Sequence, residues 1–252
     1  MQRVYGAPGY TLDQLLDWVH TYAEKLKPYI CDTGRWLRQA HAAGKSILFE
    51  AQLGALRDLD YGIYPYTTSS NAIAAYAPVG SGLPGARLDR VVGVVKAYSS
   101  CVGEGPFTCE WFGAEAERLR EAGGEYGAKT GRPRRVGPID LVATRYGVQV
   151  QGATEIALTK LDVLSYMEKI PICAHYRLDG LLTDEFPFPA CLAEAEPVFE
   201  TMPGWKQDIS AVRRWEELPA AARAYVEHVE RQIGCRIKYV SVGPERDSII
   251  IR

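Results

Sequence analysis

Leu12, Leu15, Leu16, Val19, Tyr22 and Leu26 recur at helical spacing among polar neighbours, with Thr11 placed to cap them. They predict an amphipathic helix. A second helix is predicted over 32–41, closed by Gly44 in the position that a helix end reserves for glycine. The run SILFE (46–50) reads as a buried strand, and β-branched residues predict another over 91–98. Downstream the pattern alternates. Helices are expected over 114–122, 140–150 and 219–233, and strands over 155–159, 170–176, 237–240 and 249–251. Strands alternating with helices predict α/β architecture with a largely parallel sheet. Between Gly54 and Gly85 the period is lost. The stretch YGIYPYTTSSN (61–71) is too aromatic for a linker, and irregular segments of this length usually carry function.

Composition narrows the class. Of 252 residues, 47% are apolar and 24% charged, and the formal net charge is −2. That balance fits a globular chain and lacks the basic excess of nucleic-acid or membrane-surface binders, so neither partner is expected. No apolar run approaches a bilayer span, and the first residues lack a secretory pattern, which makes a cytoplasmic location the expectation. Cys31, Cys101, Cys109, Cys173, Cys191 and Cys235 show no C-x-x-C pairing, so free thiols are expected. His20, His41, His175 and His228 do not fall at metal-ligand spacings, and no metal site is expected.

Several loops carry candidate chemistry. TKLD (159–162) follows an apolar strand and ends in an acid, where open α/β sheets bind ligands. A carboxylate there can accept hydrogen bonds from guanine N1 and N2, and the Lys160 stem can cover the ring; an ordinary strand-to-helix turn is the other reading. SVGPER (241–246) also follows a strand, and Gly243 allows close backbone approach to a ligand or simply a Gly-Pro turn. GAKTGRPRRVG (127–137) brackets Lys129, Arg132, Arg134 and Arg135 with glycines, which suits an anion-binding loop or a solvated basic turn. Gln52 and Thr68 can hydrogen-bond a base or a phosphate. Gly44-Lys45-Ser46 mimics the end of a P-loop, but Gln39 stands where the motif needs glycine, and the helix–strand order is reversed.

Taken in order, FEAQLGALRDLDYGIYPYTTSSN (49–71), VVKAYSSCVGEGPF (94–107), EYGAKTGRPRRVGPID (125–140), ALTKLDVL (157–164), ETMPGW (200–205) and YVSVGPERDSIIIR (239–252) resemble adenylosuccinate synthetases. The resemblance implies a mostly parallel central sheet with flanking helices, akin to P-loop GTPases and here incomplete. The chain would then be one C-terminal part, with a helical lead-in (1–45) and a substrate and guanine-binding region (46–252). The implied reaction is GTP-dependent joining of IMP and L-aspartate with Mg²⁺, in a family of homodimers. By resemblance, Lys160, Leu161, Asp162, Ser241, Val242 and Gly243 take GTP's base, and Arg134 its phosphates and ribose. Ala128, Lys129, Thr130, Gly131 and Arg132 receive aspartate. Gln52, Thr68 and Arg132 bind IMP.

The sequence departs from the family pattern in places. A gapless match on Asp58 and Asp60 puts Leu53 where the family has glutamine, and a one-residue strand shift turns a side chain to the opposite face. Lys129 and Pro133 replace a common threonine and arginine. The family's phosphate loop, G-D-E-G-K-G-K, with its catalytic aspartate, the following histidine acid and the Mg²⁺ ligands, is not in these residues. No catalytic residue is therefore assigned, and the chain alone is expected to be inactive. The rival expectation is a non-catalytic guanine-nucleotide-binding or regulatory module derived from the enzyme.

Overall fold

The computed structural model describes Gln2–Arg252, and the chain separates into two units. One runs to Leu48 and takes in Pro78–Ala86; the other comprises Phe49–Ala77 and Arg87–Arg252. The first therefore extends past the expected lead-in by borrowing a later segment.

The first unit holds helices α1 (Gln2–Tyr5), α2 (Leu12–Leu26) and α3 (Thr33–Ala42). Thr11 and Gln14 form a capping box on α2, each side chain bonding the other's backbone N–H at 3.2 and 2.9 Å. Asp32 caps α3 by accepting from the Arg35 N–H at 2.8 Å. Gly44, at φ +70°, closes α3 as expected. The apolar stripe on α2 is real but covered by nothing: none of its residues is buried. The expected strand at 46–50 does not form, and Leu48 is 93% exposed. A short apolar run becomes a strand only where a neighbour completes its ladder, and none of the strands among the described residues pairs with it.

The second unit is built on two four-stranded sheets and one two-stranded ladder. After a short helix α4 (Tyr76–Gly80), which crosses the division, come β1 (Val92–Lys96), β2 (Ser99–Cys101), α5 (Gly113–Gly123), β3 (Arg135–Gly137), β4 (Ile139–Asp140), α6 (Leu141–Gln151) and β5 (Glu155–Thr159). They are followed by β6 (Lys169–Leu178), β7 (Leu181–Thr183), β8 (Glu196–Pro203), α7 (Ala220–Ile233), β9 (Ile237–Ser241) and β10 (Ile249–Ile251). In the first sheet, β1, β5 and β9 run parallel and β10 closes one edge antiparallel. This is the expected parallel sheet. Ile156, Leu158, Ile237 and Val240 from its strands join Leu119 of α5, Leu141 of α6, and Tyr225 and Val229 of α7 in one fully buried core. The Tyr225 hydroxyl donates to the Ala97 carbonyl at 2.6 Å, satisfying the one polar atom that ring brings inside.

The second sheet centres on β6, which pairs parallel with β4 and antiparallel with β7 and β8. Strands β7 and β8 had not been expected. Asp140, at the end of β4, caps α6 through the Ala143 N–H and accepts from the Tyr176 hydroxyl of β6 at 2.5 Å, joining sheet to helix. Among the described residues no helix is long and apolar enough to cross a membrane.

Candidate nucleotide site

The carboxyl ends of β1, β5 and β9 lie side by side, because the strands are parallel neighbours, with one irregularity between Ile156 and Ala157 in the β5–β9 pairing. The Ala97 N–H donates to the Thr159 carbonyl at 2.8 Å, and the Leu161 N–H donates to the Ser241 carbonyl at 3.1 Å. The second bond joins the TKLD and SVGP loops directly. Lys160 sits between them in the left-handed region, at φ 59°, where a side chain is costly and usually held for a reason. Leu161 is fully buried and anchors the turn in the core.

Asp162 follows at the start of a 3₁₀ turn (Asp162–Tyr166) and is partly exposed. Burial raises its carboxyl pKa above the ordinary value, nearby Asp208 adds to this, and Lys160 and backbone N–H groups offset only part. On the opposite lip, Ser241 Oγ donates to the Gly243 carbonyl at 2.9 Å, and Val242 is buried with its N–H on the Ser248 carbonyl. A Cβ on Gly243 would come within 3.2 Å of Ser248, so this lip has little room for a side chain.

One residue that sequence reasoning passed over organises the neighbourhood. Glu125 is completely buried just beyond the C-terminal end of α5. Its carboxylate meets Lys96 Nζ at 2.6 Å, the Tyr98 hydroxyl at 2.5 Å and Arg134 Nη1 at 2.8 Å, with Lys160 Nζ at 3.7 Å. Burial pushes this carboxyl up, but the partners outweigh it and leave the pKa below the ordinary value. Burial likewise lowers Lys96, which shares the site with Lys160 and Arg134. Lys160 Nζ donates to the Gly123 carbonyl at 2.5 Å, at the negative end of the α5 dipole. Arg134 keeps a buried Nε–H with no hydrogen-bond partner among the described residues. A lone glutamate beside two glycines carries no periodic signal, which is why it was missed.

The basic loop grows from this foundation. The Arg134 N–H donates to the Glu125 carbonyl at 2.9 Å, Tyr126 bridges Pro133, and the Gly127 N–H donates to the Arg132 carbonyl at 2.9 Å. Gly131 turns the tip at φ 63°, and a Cβ on Gly127 would lie 2.6 Å from Thr130 Oγ1. Ala128, Lys129, Thr130, Gly131 and Arg132 are all exposed. Arg135 points elsewhere, onto Glu110 at 2.5 Å and the Gly105 carbonyl at 2.7 Å.

Thr68 lies in the irregular segment, half-buried, its N–H on the Arg57 carbonyl at 2.8 Å. That segment is wound around the buried Asp58, whose carboxylate accepts from the N–H groups of Asp60, Tyr61, Ala72 and Ile73. Gln52 and Leu53 are both exposed, and Leu53 has φ 82°. With no strand here, the expectation that a one-residue shift would send them to opposite faces does not apply. Among the described residues no cluster of three His, Cys, Asp or Glu side chains is placed to hold a metal, and all six cysteines are unpaired.

The adenylosuccinate synthetase family model matches residues 1–250. The chain belongs to the adenylosuccinate synthetase family. It is 45% identical over 251 residues to adenylosuccinate synthetase of Caldanaerobacter subterraneus subsp. tengcongensis, covering 98% of this chain and 58% of that protein. Identity to the Bifidobacterium longum enzyme is 46% over 249 residues, covering 98% and 58%. The chain thus spans a little under three-fifths of these relatives. The structure of fully ligated adenylosuccinate synthetase from Plasmodium falciparum superposes with a TM-score of 0.92 at 35% identity, covering 100% of this chain and 60% of that one. Succinoaminodeoxyadenylate synthetase of cyanophage S-2L, at 19% identity and TM-score 0.54 over 88% of this chain, shares the fold alone.

Proposed function

We propose that this chain forms the guanine-reading and aspartate-receiving side of an adenylosuccinate synthetase, in which GTP phosphorylates the 6-oxygen of IMP and the amine of L-aspartate displaces the phosphate. One observation carries the reading. The Leu161 N–H on the Ser241 carbonyl, at 3.1 Å, holds the two strand-end loops together around a partly desolvated Asp162. Asp162 takes the guanine N1–H and N2–H donors, the Lys160 stem covers the ring, and Ser241, Val242 and Gly243 close the far lip. Adenine offers no such donor pair, so the pocket selects GTP over ATP.

Arg134, partly exposed and sharing Glu125 with Lys160, lies towards the anionic part of the nucleotide. Ala128–Arg132 close over aspartate, and an arginine fork suits its carboxylates. Arg132 reaches IMP as well, with Thr68 on its phosphate and Gln52 near its base. The family's Mg²⁺ finds no fitting acid cluster among the described residues, so no step on this chain runs through it. Phosphoryl transfer depends on positioning and charge stabilisation around the γ-phosphate, and the residues here bind and orient without a general base. The 252 residues therefore do not turn over alone, and in the complete enzyme they act as part of a homodimer.

A coupled assay with IMP, L-aspartate, GTP and Mg²⁺ tests this. The chain alone should give no adenylosuccinate, and adding in trans the remaining N-terminal portion of a relative should restore it. Turnover by the chain alone overturns the division of labour. Equal binding of GDP and ADP overturns the base pocket.

A further inference from the structure

We propose that Glu125 is a positioning residue that makes the base-reading turn and the foot of the anion loop one electrostatic unit, through shared contact with Lys160 and Arg134. The inference rests on the guanine-nucleotide reading of this site and goes beyond it, because Glu125 touches neither base nor phosphate.

Glu125 joins three separate pieces of chain. Lys96 ends β1, Tyr98 follows it, Lys160 opens the base turn, and Arg134 stands at the foot of the 127–132 loop. Three cations converge on one fully buried carboxylate. Such a centre is stable only while its geometry is kept, since like charges in a poorly solvated site repel strongly. Lys160 also sits in a left-handed backbone that its own side chain does not favour, and its ammonium is moored to the Gly123 carbonyl and Glu125. Moving Lys160 therefore redistributes the carboxylate's attraction toward Arg134, and the reverse holds as well. Only glycine fits at 123 against this centre: a Cβ there would lie 2.3 Å from the Tyr98 hydroxyl and 3.2 Å from Glu125 Cγ. A carboxylate serving the core alone would need one or two of these partners and would not reach the two elements that face a nucleotide.

The test is a thermodynamic cycle on the full chain, read by GDP titration with ADP as the control. Lys160→Met keeps the apolar stem and removes the charge; Arg134→Gln keeps a polar side chain. Both sites are partly exposed, so both variants are expected to fold. If Glu125 couples them, the double variant departs from the product of the single effects by about fivefold or more. Glu125→Gln lowers GDP affinity about tenfold and abolishes that non-additivity, while Glu125→Asp, keeping the charge, restores part of it. If Glu125→Gln does not fold, the Lys160–Arg134 cycle decides without it. GDP selectivity with an additive cycle, within about twofold, overturns this inference and leaves the base pocket standing. Loss of GDP-over-ADP selectivity in the unmodified chain overturns both.

Discussion

Asp162→Asn separates a nucleotide pocket from a mere turn. The carboxylate is proposed to accept two hydrogen bonds from guanine. Bonds to a charged partner contribute about 1.5–3 kcal/mol each, and partial exposure of Asp162 puts these at the lower end. Asparagine keeps one acceptor and turns its amide N–H toward the second base donor. The expected loss is about 3 kcal/mol, or roughly 100-fold weaker GDP binding by calorimetry. ADP, which makes neither bond, should change by less than about threefold. The pH dependence adds a second readout. Burial raises the Asp162 pKa, so as pH falls through that raised value the acceptor is protonated and GDP affinity declines. The asparagine variant should show no such decline. The stability sign is opposite to that of a structural acid. A raised carboxyl pKa means the folded state holds the proton more tightly than the unfolded chain, so ionised Asp162 costs stability above its unfolded value near 3.8. Asp162→Asn should therefore leave the melting temperature at pH 7 unchanged or higher. GDP binding within about threefold of the parent, or a fall in melting temperature that tracks the loss of binding, refutes the reasoning.

Other perturbations reach different links of the chain. Asp58→Ala strips a buried carboxylate from four backbone donors and should cost about 3–5 kcal/mol in urea unfolding, with the irregular segment around Thr68 losing amide protection. Because those donors hold the Asp58 pKa down despite the upward push of burial, its stabilisation exists above pH 3.8 and is lost as pH falls through the folded value. Gly137→Ala places a Cβ 2.1 Å from the Cys109 carbonyl, backbone that cannot swing aside, and should cost about 1–3 kcal/mol by the same measurement. Leu16→Lys falls on the uncovered α2 stripe, so unfolding free energy should change by under about 0.5 kcal/mol while concentration-dependent association in sedimentation falls.

The sequence was most legible where local signals and tertiary demand agreed. Thr11, Asp32 and Gly44 mark helix ends through bonds made within a few residues, so pattern alone located them. Strands β5 and β9 are apolar because they are buried in the core, whereas β1, at the sheet edge, leaves Val92 and Val94 exposed yet was legible from its β-branched run. The 46–50 strand failed because its only support was composition. Strand β7 was readable and overlooked: Asp179-Gly180, at φ 51° and 77°, is the two-residue hairpin signal, placed between YRL and LLT. Strand β8 was not readable, since its two prolines and half-exposed pattern look like loop until β6 is laid beside it. Glu125 and Asp58 belong to the same class. A buried acid is known by the donors that surround it, and those come from distant parts of the chain.

The contrast between the two halves of the site has a functional consequence. The proposed base side is preformed: Leu161 and Val242 are fully buried, the two loops share a backbone bond, and Lys160 lies beside Glu125 at 3.7 Å. The proposed aspartate loop is anchored at its foot by Arg134 and the Tyr126–Pro133 bridge, while residues 128–132 stand in solvent. Backbone with exposed hydrogen bonds and no buried apolar contact opens at low free-energy cost, and ligand contacts must supply its order. Ordering about five residues costs roughly 1–2 kcal/mol each, which a small dicarboxylate offsets only through charge-assisted bonds to several donors at once. If it receives aspartate as proposed, such a loop binds it weakly until a neighbouring ligand has ordered the backbone. We predict that nucleotide binds before the amino acid, an order set by where burial ends; equal aspartate affinity with and without GDP in a calorimetric titration refutes it.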